Sequence, residues 1–333
     1  MKRRILPVFL PPHDRGALID PPCVPAAPLE AFVERARAAI EAGAEGASQL
    51  AWFGSSIGAH AREVRRALLS LSKIPQRVTL DPPHADDALL DELESLGVRT
   101  VELDAGSFDD DALAACGLGW RAGDAVEAVR RLKAHGFETG IVVRPGLPGG
   151  ATSEMLRTGR RAAELAPDFV RIYPVLVLAG SRLESAFESR RYRPLAVEEA
   201  IHVCRELVKL FEAASVPVSR LGLQPQVDID GGPEVVAGPW HPSLRTLVEG
   251  SLWYERALKL VRETFRFQRD MTLVVAPCDE TRVRGPQGLN VRRLKEKFRL
   301  RSLAVRGDPS KTPGTLELEA VDPVTSDVVR RAG

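Results

Sequence analysis

Four sites place charged or side-chain-poor residues where predicted strands end, Phe53-Gly-Ser-Ser56, Asp104, Arg144-Pro-Gly-Leu-Pro-Gly149 and Arg171-Ile-Tyr173, and Gly238-Pro-Trp-His-Pro242 lies in a later Gly/Pro-rich loop. Glycine turns in such places let backbone N–H and C=O groups come close to a ligand, and Asp104, Arg144 and Arg171 supply charge to orient it. Further on, Val283-Arg-Gly-Pro-Gln-Gly-Leu-Asn-Val-Arg-Arg-Leu294 sets two glycines three apart among arginines. A bare turn flanked by cations is suited to holding phosphates. The four cysteines (Cys23, Cys116, Cys204, Cys278) are scattered and make no disulfide framework in a chain this long, so the cytoplasm is the expected compartment.

The elements that must position these groups alternate. Strands are expected at 5–10, 49–53, 77–81, 100–104, 138–143, 169–175 and 218–223, with helices at 61–71, 88–96, 123–135 and 153–165. Leu29, Phe32, Val33, Ala36 and Ile40 share one face of a further helix, as do Ile201, Cys204, Leu207, Leu210 and Phe211. Strict alternation implies right-handed βαβ units and a parallel sheet, closed or nearly closed into a (β/α) TIM-like barrel, with chemistry on the loops after the strands. A Gly/Pro-rich loop at 224–242 precedes a long helix from 244 to about 267. Strand 272–276, helix 290–298 and strands 302–305 and 315–319 then read as a small α+β unit. The expected domains are a barrel at 1–243, a connecting helix at 244–269 and a basic α+β domain at 270–333.

The chain of 333 residues is 44% hydrophobic and 27% charged, the balance of an ordered globular protein. No apolar run approaches the roughly 20 residues that span a bilayer. The basic start Met1-Lys-Arg-Arg runs into an apolar stretch broken by Pro7 and stopped by Pro11-Pro12, which reads as a first buried strand rather than a signal peptide. Net charge is only +1, yet between Thr281 and Arg306 nine Lys/Arg face one acid, Glu296. A basic tail on an acidic body is a partner-binding signal. The competing reading is a solvated helix face.

Several motifs carry a resemblance. Phe53-Gly-Ser-Ser56 stands where a Gly-Gly-Ser turn follows a second strand, and Val101-Glu-Leu-Asp-Ala-Gly-Ser-Phe-Asp109 where Gly-Val-Gln-Ser-Phe-Asp ends a fourth. Arg144-Pro-Gly-Leu-Pro-Gly149 stands in place of Met-Pro-Gly-Leu-Pro-Gly, and Leu221-Gly-Leu-Gln-Pro225 marks a late strand. In order and spacing these resemble radical-SAM proteins related to the catalytic subunit of Elongator, over about residues 6–298. The resemblance implies a radical-SAM barrel, S-adenosylmethionine, a [4Fe-4S] cluster and tRNA as substrate. It puts Gly54, Ser55, Ser56, Asp104, Arg144, Pro145, Gly146, Arg171 and Tyr173 at the cofactor.

The cluster motif does not follow. Such a cubane takes three thiolates at C-x3-C-x2-C spacing, and the loop after the first strand offers Cys23 alone as a metal ligand. His13 and Asp14 show no ligand spacing; Cys204 lies on an apolar helix face, and Cys116 and Cys278 are expected to stay away from Cys23. Ser55 replaces a glycine, Asp104 a glycine, Gly106 a glutamine, Arg144 a methionine, and Leu118-Gly-Trp120 an Arg-Gly-His. Arg171 and Tyr173 either face the pocket or an RNA phosphate, or else Tyr173 packs and Arg171 pairs with an acid such as Asp168. His241 is expected to structure its loop with Trp240 as packing partner.

The segment 283–294 resembles the KH signature G-x-x-G-x-x-I-x-x-L, which implies an RNA site of Arg284, Gly285, Gly288, Arg292, Arg293 and Lys295. Pro286 departs from it by removing an N–H and a charge, and few aromatics imply weak base specificity. Acetyl transfer is not expected: too few residues follow the barrel, and the glycines lack Arg-x-x-Gly-x-Gly/Ala spacing. The expectation is therefore a radical-SAM-like scaffold that has lost its cluster and binds RNA, plausibly tRNA, without DNA or membrane partners. The alternative is a working radical-SAM enzyme modifying tRNA with non-standard cluster ligands.

Overall fold

Runs such as Gln49-Leu-Ala-Trp-Phe53 and Glu138-Thr-Gly-Ile-Val-Val143 lack the apolar period of a helix and pair as parallel strands. The structure is a computed structural model, and it describes residues 5–10, 16–19, 29–43, 46–222, 234–264, 269–320 and 328–332. It divides into two compact units, Met1–Pro242 and Ser243–Gly333.

In the first unit seven strands pair in parallel, in chain order except for one short inserted strand. They are β1 (Ile5–Phe9), β2 (Gln49–Phe53), β3 (Gln76–Leu80), β4 (Val98–Gly106), β5 (Glu138–Val143), β6 (Phe169–Ile172) and β8 (Val218–Leu221). The inserted β7 (Val177–Leu178) forms a small antiparallel ribbon with β9 (Val235–Ala237). Because chain order equals spatial order, right-handed crossovers put every connecting helix on one side of the sheet, which curls into a half-barrel around the other. Pro7, which has no N–H to give a ladder, sits on edge strand β1.

Side chains alternate between these sides. Leu50, Trp52, Val78, Leu80, Val101, Leu103, Ile141 and Val170 are fully buried on the helix side. Register puts the opposite set in rows across the lumen: Arg77 beside Thr100 beside Glu138, Glu102 beside Gly140 beside Phe169, and Asp104 beside Val142 beside Arg171. The apolar core lies outside the sheet and the ionisable groups lie within it.

Helices α1 (Leu29–Gly43), α2 (Arg62–Leu69), α3 (Asp87–Ser95), α4 (Asp110–Cys116), α5 (Ala122–Ala134), α6 (Thr152–Glu164), α7 (Arg182–Glu188) and α8 (Val197–Ala213) follow the strands. Asp86, Asp109 and Ser181 cap three of them by accepting from the backbone N–H of Leu89, Ala112 and Glu184. β6 stops at Ile172, short of the expected 175; Pro174 follows two residues later and has no N–H for a ladder.

The second unit packs α9 (Leu244–Thr264), α10 (Glu280–Arg284) and α11 (Leu289–Phe298) with a four-stranded sheet. Its order is β11 (Ser302–Gly307), β10 (Asp270–Val275), β12 (Leu316–Ala320), β13 (Val328–Ala332), with only β10 and β11 parallel. The stretch expected as a connecting helix, α9, buries Trp253, Ala257, Leu260 and Val261 in this unit's core beside Leu273, Leu294 and Leu318.

One carboxylate ties two helices of the first unit. Glu92 of α3 accepts from Arg62, Arg65 and Arg66 of α2 at 3.1, 2.8 and 2.9 Å. Partial burial opposes its ionisation, but the three guanidinium hydrogen bonds outweigh this and lower its pKa to about 2. Replacing Glu92 with Gln is expected to cost about 1–2 kcal/mol at pH 7 in urea denaturation, because the arginines are partly solvated. Since the folded carboxyl titrates below its ordinary 4.5, the wild-type advantage is complete above that pH and disappears as pH falls towards about 2.

Candidate functional site

The alternation Val101-Glu-Leu-Asp-Ala105 on the central strand β4 sends Leu103 outward and Glu102 and Asp104 into the lumen. Glu102 sits at its middle. One of its oxygens, Oε1, takes Arg77 Nη1 and Arg171 Nη2, each at 2.9 Å. All three side chains are at most 7% exposed. Arg77 lies over the Phe169 ring and Arg171 over the Phe53 ring, at 4.7 and 4.6 Å from the centroids. Arg171 also donates to the Tyr173 hydroxyl at 2.9 Å, and Arg220 stands 6.0 Å from the Tyr173 ring. Burial pushes the Glu102 carboxyl up, against the pull of Arg171 and Arg77, and raises the Tyr173 hydroxyl. Of the two alternatives for Arg171, it does pair with an acid, but with Glu102 rather than Asp168, which accepts from Thr139 N–H.

At the strands' C-terminal ends Arg144 meets Asp104 as a fork, Nε to Oδ1 at 2.9 Å and Nη2 to Oδ2 at 2.7 Å. Asp104 is 7% exposed and Arg144 29%. These two positions carry an acid and a base in place of the glycine and methionine that the resemblance implies, and they answer each other across the mouth of the half-barrel.

The glycine turns are occupied by the protein itself. Gly54 has φ +93°, and a Cβ there would sit 2.8 Å from the Leu10 carbonyl oxygen. The Gly146 carbonyl accepts from the Tyr192 hydroxyl at 2.6 Å, and Pro145 O from Val175 N–H at 3.0 Å. Ser55 is buried. Ser56 Oγ accepts from Asp81 N–H at 3.1 Å and lies 3.0 Å from His84 Nδ1. Thus Gly54, Ser55, Ser56, Asp104, Arg144, Pro145, Gly146, Arg171 and Tyr173 all fall at or near the same strand ends. Sequence reasoning missed Arg77, Glu102, Arg220, Asp81 and His84; the acid–apolar alternation of β4 was the available signal.

A three-thiolate cluster does not fit the described residues. Cys116 is sealed in an apolar cluster with Ala17, Leu113 and Leu118. Cys204 is buried on α8, where burial pushes its thiol up to about 12. Cys278 is exposed and belongs to the second unit. Among the described residues no three His, Cys, Asp or Glu side chains converge as metal ligands. Cys23, His13 and Asp14, like residues 223–225 of the late-strand motif, lie outside the described residues. Leu18 N–H donates to the Cys116 carbonyl at 2.8 Å. In the late loop Trp240 is 39% exposed.

In the second unit the Gly285–Gly288 turn joins α10 to α11. Gly285 has φ +70° and is buried, and a Cβ there would meet Asn290 Cγ at 2.7 Å. Asn290 donates to Gly250 O and Val283 O at 2.8 and 3.2 Å, holding the turn to α9. The buried side of Gly285 faces Asn290 and, through it, α9. Gly288 has φ +74° and open space where a Cβ would stand. The local charge is also smaller in space than in sequence. Arg282 pairs with Glu249 and Asp279, Arg284 with Glu280, Arg301 with Asp270 and Arg306 with Glu319. Arg292, Arg293, Lys295, Lys297 and Arg299 remain together on and just after α11, with Arg292 also donating to Gln287 O.

With this geometry in view, comparison with known proteins gives a consistent result. Residues 167–254 match the Radical_SAM C-terminal domain. The fold is similar to that of Elp3 from Methanocaldococcus infernus lacking its N-terminus, with TM-score 0.58 and 18% identity over 95% of this chain and 73% of that one. It is also similar to the Escherichia coli coproporphyrinogen III oxidase HemN, a radical SAM enzyme, with TM-score 0.51 and 16% identity over 64% and 53%. The half-barrel is thus the fold of radical-SAM proteins, and residues 167–254 match one of their domains. More particularly, the chain resembles Elp3 and the tRNA uridine(34) acetyltransferases. Among curated relatives, the tRNA uridine(34) acetyltransferase of M. infernus is 29% identical over 125 residues, 37% of this chain and 23% of that protein. The enzyme of the same name from Dehalococcoides mccartyi is 30% identical over 116 residues, 34% and 25%. The matches span about a quarter of those relatives' length.

The fork at the mouth makes a measurable coupling. Arg144→Met leaves the buried Asp104 carboxylate without its guanidinium and is expected to cost about 3 kcal/mol. Adding Asp104→Ala is expected to recover part of that loss, so that a double-mutant cycle in urea shows coupling of at least about 1 kcal/mol.

Proposed function

We propose that this chain is an RNA-binding radical-SAM-fold protein, acting on or with tRNA in the cytoplasm, whose barrel serves as scaffold and no longer holds an iron–sulfur cluster. The observation that carries this reading is the Arg144–Asp104 fork, an ion pair built from two of the positions that face the cofactor in the implied family. A carboxylate and a guanidinium that satisfy each other have little left to offer a ligand. The thiols support the same reading, since Cys116 and Cys204 are packed as small apolar side chains. The RNA half rests on the tRNA-modifying relatives and on the cations of α11. In this reading Arg292, Arg293 and Lys295 contact phosphate, Arg284 is held back by Glu280, and Gly285 and Gly288 shape a KH-like turn. Among the described residues no helix is long and apolar enough to cross a membrane.

Two measurements test it on the purified chain. Anaerobic reconstitution with iron and sulfide is expected to leave it colourless; a brown product with absorbance near 400 nm and about four irons per chain overturns the scaffold reading in favour of an active enzyme. Fluorescence anisotropy with labelled tRNA is expected to show binding that weakens markedly between about 50 and 200 mM salt and on Arg292→Glu/Arg293→Glu substitution. Failure to bind tRNA at either salt concentration removes the RNA half.

A further inference from the structure

The inference below rests on the RNA-binding reading and concerns which form of RNA the second unit takes. Asn290, Leu294 and Phe298 recur every four residues and turn one side of α11 into the core. At 100° per residue, Arg293 and Lys297 lie about 100° and 60° round from Leu294 to one side, and Arg292 and Lys295 about 160° and 100° round to the other; Arg299 follows the helix in the left-handed region. Arg292, Arg293, Lys297 and Arg299 are exposed and Lys295 half-buried, with Glu296 the one acid between the two rows. The helical members of the rows extend over about 8 Å, from residue 292 to 297.

Two files of cations on opposite flanks suit two phosphate backbones better than one. A single strand is usually gripped by one cationic track with rings on which its bases stack. The second unit has no such platform: among the described residues the exposed large apolar side chains are Val236 and Trp240, both in the first unit. Its glycine turn is no bare cradle either, because the buried side of Gly285 faces Asn290 and α9. A-form RNA, in contrast, offers a wide, shallow minor groove edged by two rows of phosphates, and it is recognised by shape and backbone.

We propose that α11 is a contact for double-stranded RNA, setting its two flanking rows of cations on the two phosphate backbones of a helical stem without reading base sequence. The test is anisotropy with the full chain and two labelled RNAs: a mixed-sequence duplex of about 20 base pairs, and oligouridylate of about the same length per strand. At about 50 mM salt the duplex is expected to bind at least roughly tenfold tighter, losing roughly a hundredfold by 200 mM if four cations meet phosphate. Arg293→Glu/Lys297→Glu and Arg292→Glu/Lys295→Glu, each altering one flank, should each weaken duplex binding by roughly tenfold or more while changing oligouridylate binding less. Arg292, Arg293 and Lys297 are exposed and Lys295 is half-buried, and an unchanged melting temperature shows that a variant is folded. Oligouridylate binding as tightly as the duplex, or either flank proving dispensable, overturns the duplex assignment while leaving RNA binding intact. Loss of binding to both RNAs in the unmodified chain overturns the assignment together with the reading beneath it.

Discussion

A charge withdrawn from water must meet an opposite charge or hydrogen-bond partners, and the first unit is organised by that requirement. Its sheet turns the usual barrel arrangement round: aliphatic side chains lie outside under the helices, and guanidinium and carboxylate groups fill the lumen. Glu102 lies on the central strand, within reach of Arg77 from one neighbouring strand and Arg171 from two strands away on the other side. Phe53 and Phe169 cover the arginine faces, so each guanidinium uses its edge for hydrogen bonds and its plane for a ring. Loss of any one member strands the others in a medium that stabilises isolated ions poorly.

The same rule governs the mouth. An aspartate and an arginine at a strand end would each be costly alone; as a fork they are compatible with a folded strand end. The strand-end glycines nearby retain their positive φ, now used for contact with Leu10 and for presenting the Gly146 carbonyl to Tyr192. The chain thus shares the half-barrel fold of its structural neighbours while the polar groups at its rim are engaged with one another. In the second unit a similar sorting takes place in the open. Acids at 249, 270, 279, 280 and 319 draw four arginines into pairs and leave the rest gathered on one helix.

Much of the fold was legible in the chain, because parallel strands between helices repeat a strong local pattern. The expected strands 49–53 and 138–143 agree to the residue with the structure. The central strand was read as 100–104 and runs from Val98 to Gly106, since pairing on both sides holds residues that weak local propensity would release. The ribbon of β7 and β9 left no signal, because two- and three-residue strands have no period to detect. At the site, Asp104 and Arg144 were each recognised as departures from the family pattern, but their mutual contact spans 40 residues of sequence and depends on register. The partner of Arg171 was misjudged for the same reason: Asp168 is near in sequence, Glu102 near in space. The nine-cation segment looked more basic than it is because the acids that neutralise it lie outside its limits.

Two electrostatic regimes coexist in this molecule. The lumen pairs are almost wholly buried, so mobile counterions reach them poorly and their attraction depends little on the surrounding electrolyte. The α11 cations stand in water, where a Debye length of about 8 Å at physiological ionic strength sets their reach. Changing the concentration of a simple electrolyte therefore acts as a selective control: it tunes the outer helix while the ionic interior of the half-barrel changes little.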